Sequence, residues 1–153
     1  MVSDMLTIRT LGDKVLTQKA KRVANIDDTL RTFCASMVDT MLQSEGIGLA
    51  ANQVGVLKRI IIVSDEGNIL KMINPEIVEF SENKCIMEEG CLSIPETYLP
   101  ISRAETIKVK YRDLKGKPHI ETYSGLTARI IQHEIDHLDG ITMDTLKTVP
   151  EVV

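Results

Sequence analysis

Apolar side chains recur along this chain with two different spacings, and each spacing predicts a different kind of element. After Asp27-Asp28, an apolar residue returns every three or four positions for about four turns, which predicts a helix with one buried stripe. Either Asp can cap that helix, and Gly46 can end it. A second helix is predicted from about Ser124 to Leu138, just before Gly140. The stripe of the first helix consists of Leu30, Phe33, Cys34, Met37, Met41 and Leu42.

Between and after the helices, β-branched and alternating segments predict strands, separated by turn sequences such as residues 64–68 and 113–116. Pro95 and Pro100 argue against a central strand in the segment between them. Strands and helices do not alternate regularly, so we predict an α+β fold, with mostly antiparallel β-sheets packed around the second helix as a central helix. The predicted strands are residues 59–63, 69–73, 77–80, 84–87, 106–111 and 119–123.

The composition is that of one ordinary globular domain. A chain of 153 residues that is 43% hydrophobic can bury a core without disulfides, and we expect residues 1–153 to form a single domain. A net charge of −4 gives no indication of nucleic-acid binding, and no apolar run is long enough to span a membrane. The first 13 residues lack a signal-like apolar stretch, and three cysteines suit a reducing compartment, so we expect a cytoplasmic protein.

The strongest chemical signal is the run Gln132-His-Glu-Ile-Asp-His137 in the second predicted helix. His133 and His137 are four positions apart, so on a helix they point within about 40° of each other and can hold one metal ion. Glu134 then lies close enough to reach a water molecule at the metal without being a ligand itself. A cation lowers the pKa of such a water towards 7, and a carboxylate can take its proton. The alternative is a chance match in which both histidines belong to the core.

A catalytic metal site needs a third protein ligand and one open position. Cys91 is the candidate, since it lies in the loop sequence Glu88–Ser93 beside a glycine, and a thiolate with two imidazoles suits Zn or Fe. Cys91 could instead be a small buried apolar residue. Cys34 lies on the stripe of the first helix and is assigned to the core.

A closed structural zinc site is a rival interpretation, in which Cys85 and Cys91 join the two histidines. Five residues separate these cysteines, whereas structural sites usually have two to four between them. The closed site would also leave Glu134 without a role.

The segment Glu45–Gly55 is rich in small residues, including Gly46 and Gly48, which permit close approach of the backbone to a ligand. The amide of Gln53 could donate a hydrogen bond to an anionic oxygen. A tight turn from helix to strand would explain the same composition, so this segment alone does not decide between the two.

Taken together and in this order, Gly46–Gln53, Glu89–Ser93 and Gln132–Leu138 resemble the three motifs of the peptide deformylase family. The resemblance extends over about residues 28–146. It implies a metallohydrolase that removes the formyl group from the N-terminal formylmethionine of nascent polypeptides and releases formate. It further implies N-formylmethionyl peptides as partners, transient proximity to the ribosome and a cytoplasmic monomer, with an organelle or a virus as other sources of such a chain.

The resemblance also implies a role for individual residues. The metal ligands would be Cys91, His133 and His137. Glu134 would be the general base and then the general acid, and the oxyanion would be held by Gln53 and the backbone N–H of Leu92. Fe²⁺ would be the metal, with Zn²⁺, Ni²⁺ or Co²⁺ able to substitute. The substrate would be bound by Gly48 along its backbone and, around the methionine side chain, by Ile47, Glu89, Leu126, Ile130 and His133.

Some positions depart from the family pattern. Tyr98 stands where some members carry an Arg, which affects the contacts expected to the second residue of the substrate. Arg103 matches a basic position that often follows the loop, and we consider a pair between it and Glu45. Only 13 residues follow Gly140, so we expect no long C-terminal helix.

Two other classes of function fit part of the pattern. A metallopeptidase would use the same helix, but its third ligand usually lies downstream, where this chain offers only Glu151. A non-catalytic metal-holding protein would not need Glu134, Gln53 and Cys91 together, and all three are present.

Overall fold

The structure is a computed structural model that describes residues 5–146 of the chain. These residues form two α-helices and seven strands. The helices are α1 (Asp28–Gln43) and α2 (Gly125–Leu138). Three short 3₁₀ helices lie at Lys14–Thr17, Ala51–Val54 and Met143–Thr145. The strands are β1 (Gly48–Ala50), β2 (Ile60–Asp65), β3 (Asn68–Phe80), β4 (Lys84–Cys91), β5 (Ile94–Ala104), β6 (Thr106–Arg112) and β7 (Pro118–Ser124).

The strands form two antiparallel sheets. Five strands pair in the order β1-β2-β3-β6-β7, and β4 pairs only with β5 in a separate hairpin. The helix α2 contacts strands of both sheets. The predicted α+β fold with antiparallel sheets around a central helix is therefore confirmed.

The first helix begins where its sequence predicts. The Asp27 side chain accepts a hydrogen bond from the Leu30 backbone N–H at 2.9 Å, which satisfies one free donor of the first turn. Cys34, Met37 and Met41 are fully buried against β1 and β2. The predicted stripe is wrong at its end, because Leu42 is 54% exposed.

The second helix is buried on nearly every side. Ala128, Ile131 and Leu138 pack into the core formed with the five-stranded sheet, while polar side chains of the same helix are also buried. Gly140, with φ of 76°, follows its end as predicted. A helix this buried places its histidines away from solvent, where each ring nitrogen needs a defined partner.

The strand predictions need three corrections. Residues 69–73 and 77–80 belong to one long strand, β3, whose register shifts between Ile73 and Glu76. The segment with Pro95 and Pro100 is strand β5, although it is not central, since it belongs to the two-stranded hairpin. The three-residue strand β1 lies inside the small-residue segment, where no strand was predicted.

Two expectations concern the chain as a whole. The predicted absence of a long C-terminal helix depends on residues 147–153, which lie outside the described residues, as does Glu151. The single domain over residues 1–153 stays a prediction. Neither helix between residues 5 and 146 is long and apolar enough to cross a membrane.

Candidate active site

Three potential metal ligands from two elements meet at one point. Cys91 ends β4, and His133 and His137 lie one turn apart on α2. One ligand atom of each lies within 4.8 Å of the others, and Cys91 Sγ is 3.3 Å from His137 Nε2. Cys91, predicted in a loop, is instead the last residue of a strand, and it forms one cluster in space with the two histidines.

The bonds around this cluster fit a bound divalent cation. Glu89 Oε1 accepts a hydrogen bond from Nδ1 of His133 at 2.9 Å, which leaves the Nε2 lone pair of His133 free to act as a ligand. Within residues 5–146, His137 Nδ1 and Glu134 Oε1 are buried without a hydrogen-bond partner. One thiol and two imidazoles form a donor set that suits Zn or Fe, with a fourth position left open.

The closed structural zinc site is not formed. Cys85 is exposed on β4, and over the described part of the chain the cluster contains Cys91, His133 and His137 alone. Cys34 is fully buried in the core, as predicted.

The two imidazoles are electrostatically different. Burial alone would lower the pKa of His133, but hydrogen bonds with Cys91 and Glu89 raise it to about 10. Burial, together with the positive charge of His133, lowers the pKa of His137 to about 3. The hydrogen bonds of Cys91 and Glu89 with the His133 ring favour positive charge at this point, which fits a cation held between the thiol and the rings.

Glu134 is buried beside the ligands and does not belong to their cluster. Burial raises the pKa of its carboxyl to about 7, against the opposing charges of His133 and Arg103. Gly48 on β1 makes room for it, because a Cβ atom at Gly48 would lie 2.5 Å from Glu134 Oε2. A carboxyl that titrates near neutrality can both accept and return a proton.

Gln53 is fixed close to the thiol by hydrogen bonds at both ends of its amide. Its Oε1 accepts from the Ala50 N–H at 2.9 Å, and its Nε2 donates to Ser93 Oγ at 3.1 Å. Nε2 is also 3.6 Å from Cys91 Sγ. The short 3₁₀ helix after β1 thus directs an amide donor to the same cavity as the metal ligands.

Two cavities adjoin the cluster. The larger, of about 600 Å³, is lined among others by Gln53, Gly48, Leu92 and Glu134. The smaller, of about 90 Å³, is lined by the five residues expected around a methionine side chain and, among others, by Arg129 and Glu134. Those five are Ile47, Glu89, Leu126, Ile130 and His133.

The charged network behind the site corrects the expected partner of Arg103 and adds Asp136 and Arg129 to the residues around the site. Arg103 does not pair with Glu45; it donates to Glu89 at 2.7 and 2.8 Å and to Asp136 at 2.5 Å. Burial alone would raise the pKa of Glu89, but the hydrogen bonds from Arg103 and His133 lower it to about 2. Arg129 also donates to Glu89 and was not predicted from the sequence. Its one signal was an arginine one turn before His133, with apolar residues on both sides of it in the sequence, Ala128, Ile130 and Ile131.

A sequence profile of the polypeptide deformylase family matches residues 5–150. The chain belongs to this family. A peptide deformylase of Picosynechococcus is 54% identical over 141 residues, covering 89% of this chain and 75% of that protein. A peptide deformylase of Dictyoglomus thermophilum is 45% identical over 147 residues, covering 92% of this chain and 95% of that protein.

Solved structures of peptide deformylases share the fold closely. The crystal structure of the Thermotoga maritima enzyme superposes with a TM-score of 0.91 at 40% identity, covering 92% of this chain and 96% of that one. A class I type b peptide deformylase from Acinetobacter baumannii with Met-Ala-Ser bound gives a TM-score of 0.90 at 39% identity, covering 94% and 98% of the two chains. The resemblance to the peptide deformylase family, inferred from the three motifs, is confirmed.

Proposed function

We propose that this chain is a metal-dependent deformylase that hydrolyses the N-formyl group of formylmethionyl peptides and releases formate. The observation that carries this proposal is the placement of Glu134 between a Cys-His-His cluster and a small pocket of largely apolar walls. A methionine side chain has the unbranched, apolar form that such a pocket accepts. The bound Met-Ala-Ser of the Acinetobacter relative agrees with this class of peptide.

Each residue has a defined task in this mechanism. Cys91 Sγ and one ring nitrogen each of His133 and His137 would hold a divalent cation. When bound, such a cation lowers the pKa of a water molecule towards 7 and polarises a carbonyl oxygen. Ile130 is buried at the methionine pocket, and Ile47 and Leu126 are each about half exposed on its walls, so the pocket orients the substrate and excludes water around its first side chain.

Proton transfer falls to Glu134. Its carboxylate takes a proton from the attacking water, and the water oxygen adds to the formyl carbon. Gln53 Nε2 and the Leu92 backbone N–H donate to the carbonyl oxygen as it gains negative charge. The C–N bond then breaks, and Glu134 returns the proton to the departing amine, which leaves formate and a free amino terminus.

Fe²⁺ is the proposed metal, with Zn²⁺, Ni²⁺ and Co²⁺ as substitutes. The support is the mixed thiolate and imidazole donor set, which accepts several of these ions. We further infer a cytoplasmic enzyme that acts as a monomer near the ribosome, where formylated chains emerge. Its three free cysteines suit a reducing compartment, and one chain supplies all the proposed catalytic groups.

The test is formate release from formyl-Met-Ala-Ser by protein loaded anaerobically with Fe²⁺, Ni²⁺, Co²⁺ or Zn²⁺ in parallel. We expect release that depends on the metal, with no product from the unformylated peptide. Folded protein that holds metal but releases no formate with any of the four ions would contradict the proposed activity. A fastest rate with a metal other than Fe²⁺ under anaerobic conditions would contradict only the choice of iron.

A further inference from the structure

Arg129 is a buried arginine that no motif of the site accounts for. It lies on α2 one turn before His133 and is 5% exposed. Its Nη1 donates to Glu89 Oε2 at 2.5 Å and to the Ile101 carbonyl at 3.0 Å, and its Nη2 donates to the Cys85 carbonyl at 2.5 Å. Burying a guanidinium is unfavourable unless its N–H donors are hydrogen-bonded. The two backbone carbonyls that accept these hydrogen bonds are therefore strongly constrained in position.

These hydrogen bonds connect helix α2 to the β4–β5 hairpin, a connection that strand pairing does not provide. Cys85 is in β4 and Ile101 is in β5, and within residues 5–146 these two strands pair only with each other. The hairpin supplies Cys91, whereas α2 supplies His133 and His137. The distance between the thiol and the imidazoles therefore depends on how firmly the hairpin is held against α2.

Two arginines cross this boundary in opposite directions. Arg103, in β5, reaches Asp136 on α2, and Arg129, on α2, reaches the backbone of both hairpin strands. Both arginines also bind Glu89, so the carboxylates of Glu89 and Asp136 are paired with two guanidinium groups. Glu89 in turn bonds His133, which links this network directly to a proposed ligand.

We propose that Arg129 is a positioning residue that holds the β4–β5 hairpin against α2 and thereby sets Cys91 at ligand distance from His133 and His137. This inference rests on the proposed function through its ligand set. Arg129 lines the smaller cavity, the proposed methionine pocket, but not the larger one, and it needs no contact with the formyl group. Its effect reaches the metal through backbone carbonyls and Glu89, so the first property to change on its loss is metal affinity.

The decisive comparison is between Arg129→Met and Arg59→Met. Arg59 is a matched control because it also makes three hydrogen bonds near α2, to the carbonyls of Ala20 and Leu138 and to the Asp139 carboxylate, and none of them reaches the hairpin.

Co²⁺ is the probe, titrated in competition with a chromophoric chelator, and its thiolate charge-transfer absorption reports the bond to Cys91. We expect Arg129→Met to bind Co²⁺ about 10–100-fold more weakly, with a diminished thiolate band. We expect Arg59→Met to keep the affinity and the band of the wild type.

Equal Co²⁺ affinity and spectra for Arg129→Met and the wild type would overturn the proposal, and so would an equal loss in Arg59→Met. If Arg129→Met does not fold, Arg129→Lys takes its place in the comparison. Lysine keeps the positive charge beside Glu89, but it lacks the planar guanidinium that bonds both hairpin carbonyls. Weaker Co²⁺ binding by Arg129→Lys than by Arg59→Met supports the proposal, and wild-type binding overturns it. Because the readout is Co²⁺ binding, a wild type that binds Co²⁺ through its thiolate but releases no formate would contradict the proposed activity alone.

Discussion

Among single residues, Glu134 combines burial in the site with a carboxyl pKa near neutrality. It is 4% exposed, and its Oε1 has no hydrogen-bond partner within the described ranges of the chain. A buried carboxyl without a partner is unfavourable for stability, and burial raises its pKa to about 7. The same environment suits the proton transfer proposed for Glu134 at neutral pH, so an arrangement unfavourable for stability would serve the proposed reaction.

Glu134→Gln tests this role with little change in volume. We expect formate release to fall by about 10²–10⁴-fold, because the amide cannot take the proton from water. Metal content, measured by elemental analysis after gel filtration, should equal that of the wild type, since Glu134 lies outside the ligand cluster. Glu121→Gln, an exposed change on β7, is the control and should leave both quantities unaltered. Loss of metal together with activity would instead make Glu134 a ligand.

Among the elements, the contact between β1 and α2 is unusually close. A Cβ atom at Gly48 would lie 2.5 Å from Glu134 Oε2 and 2.6 Å from Ile130 Cγ2. Gly48 also pairs with Val63 of β2, so β1 cannot retreat without disturbing the sheet. The glycine is required by packing against α2, in addition to its proposed approach to the substrate.

Gly48→Ala should therefore displace the Glu134 carboxylate and leave the fold intact. We expect kcat/KM to fall by about 10²-fold, the effect of a misplacement of roughly 1 Å at a catalytic group. Formate release across a range of peptide concentrations gives kcat/KM, and thermal unfolding checks the fold. Wild-type kcat/KM in a folded variant would show that β1 can move away from α2, against the packing argument.

The elements predicted correctly are those with local signals. Apolar spacing and an Asp cap were enough for α1, and the same spacing with a following glycine was enough for α2. Strand β5 was missed because its prolines exclude a central strand, whereas a hairpin with two free edges tolerates them. The short strand β1 was missed because its three residues are too few to show a period of their own.

The residues of the site also divide into those that a local sequence pattern predicts and those that it does not. Residues within a short motif, such as His133 and His137, have a spacing that fixes their geometry once a helix is assumed. The partners of Arg103 and Arg129 depend on how a hairpin packs on a helix, across separations of 28 to 44 positions in the chain. No local pattern encodes that packing, so the pair of Arg103 with Glu45 was wrong and Arg129 was overlooked.

Over the whole molecule, the fold places its three cysteines in three different environments. Cys34 is fully buried between α1 and the five-stranded sheet, and burial raises the pKa of its thiol to about 11. Cys85 is exposed on the hairpin, and Cys91 is half-buried at the metal cluster. Since the thiolate is the reactive form, these environments predict three different reactivities.

Counting reactive thiols at pH 8 tests this arrangement together with the ligand assignment. In metal-loaded protein, a thiol-disulfide reagent should label one thiol rapidly, and Cys85→Ser should abolish that phase. Removing the metal with a chelator should release a second thiol, Cys91, because a coordinated thiolate is no longer free to react. The third, Cys34, should react only in denaturant, since at pH 8 it is protonated, with a pKa of about 11, and closed off by the core. Two rapid thiols before chelation would mean that Cys91 is not a ligand, and the proposed metal site would then have to be abandoned even if the protein holds a cation.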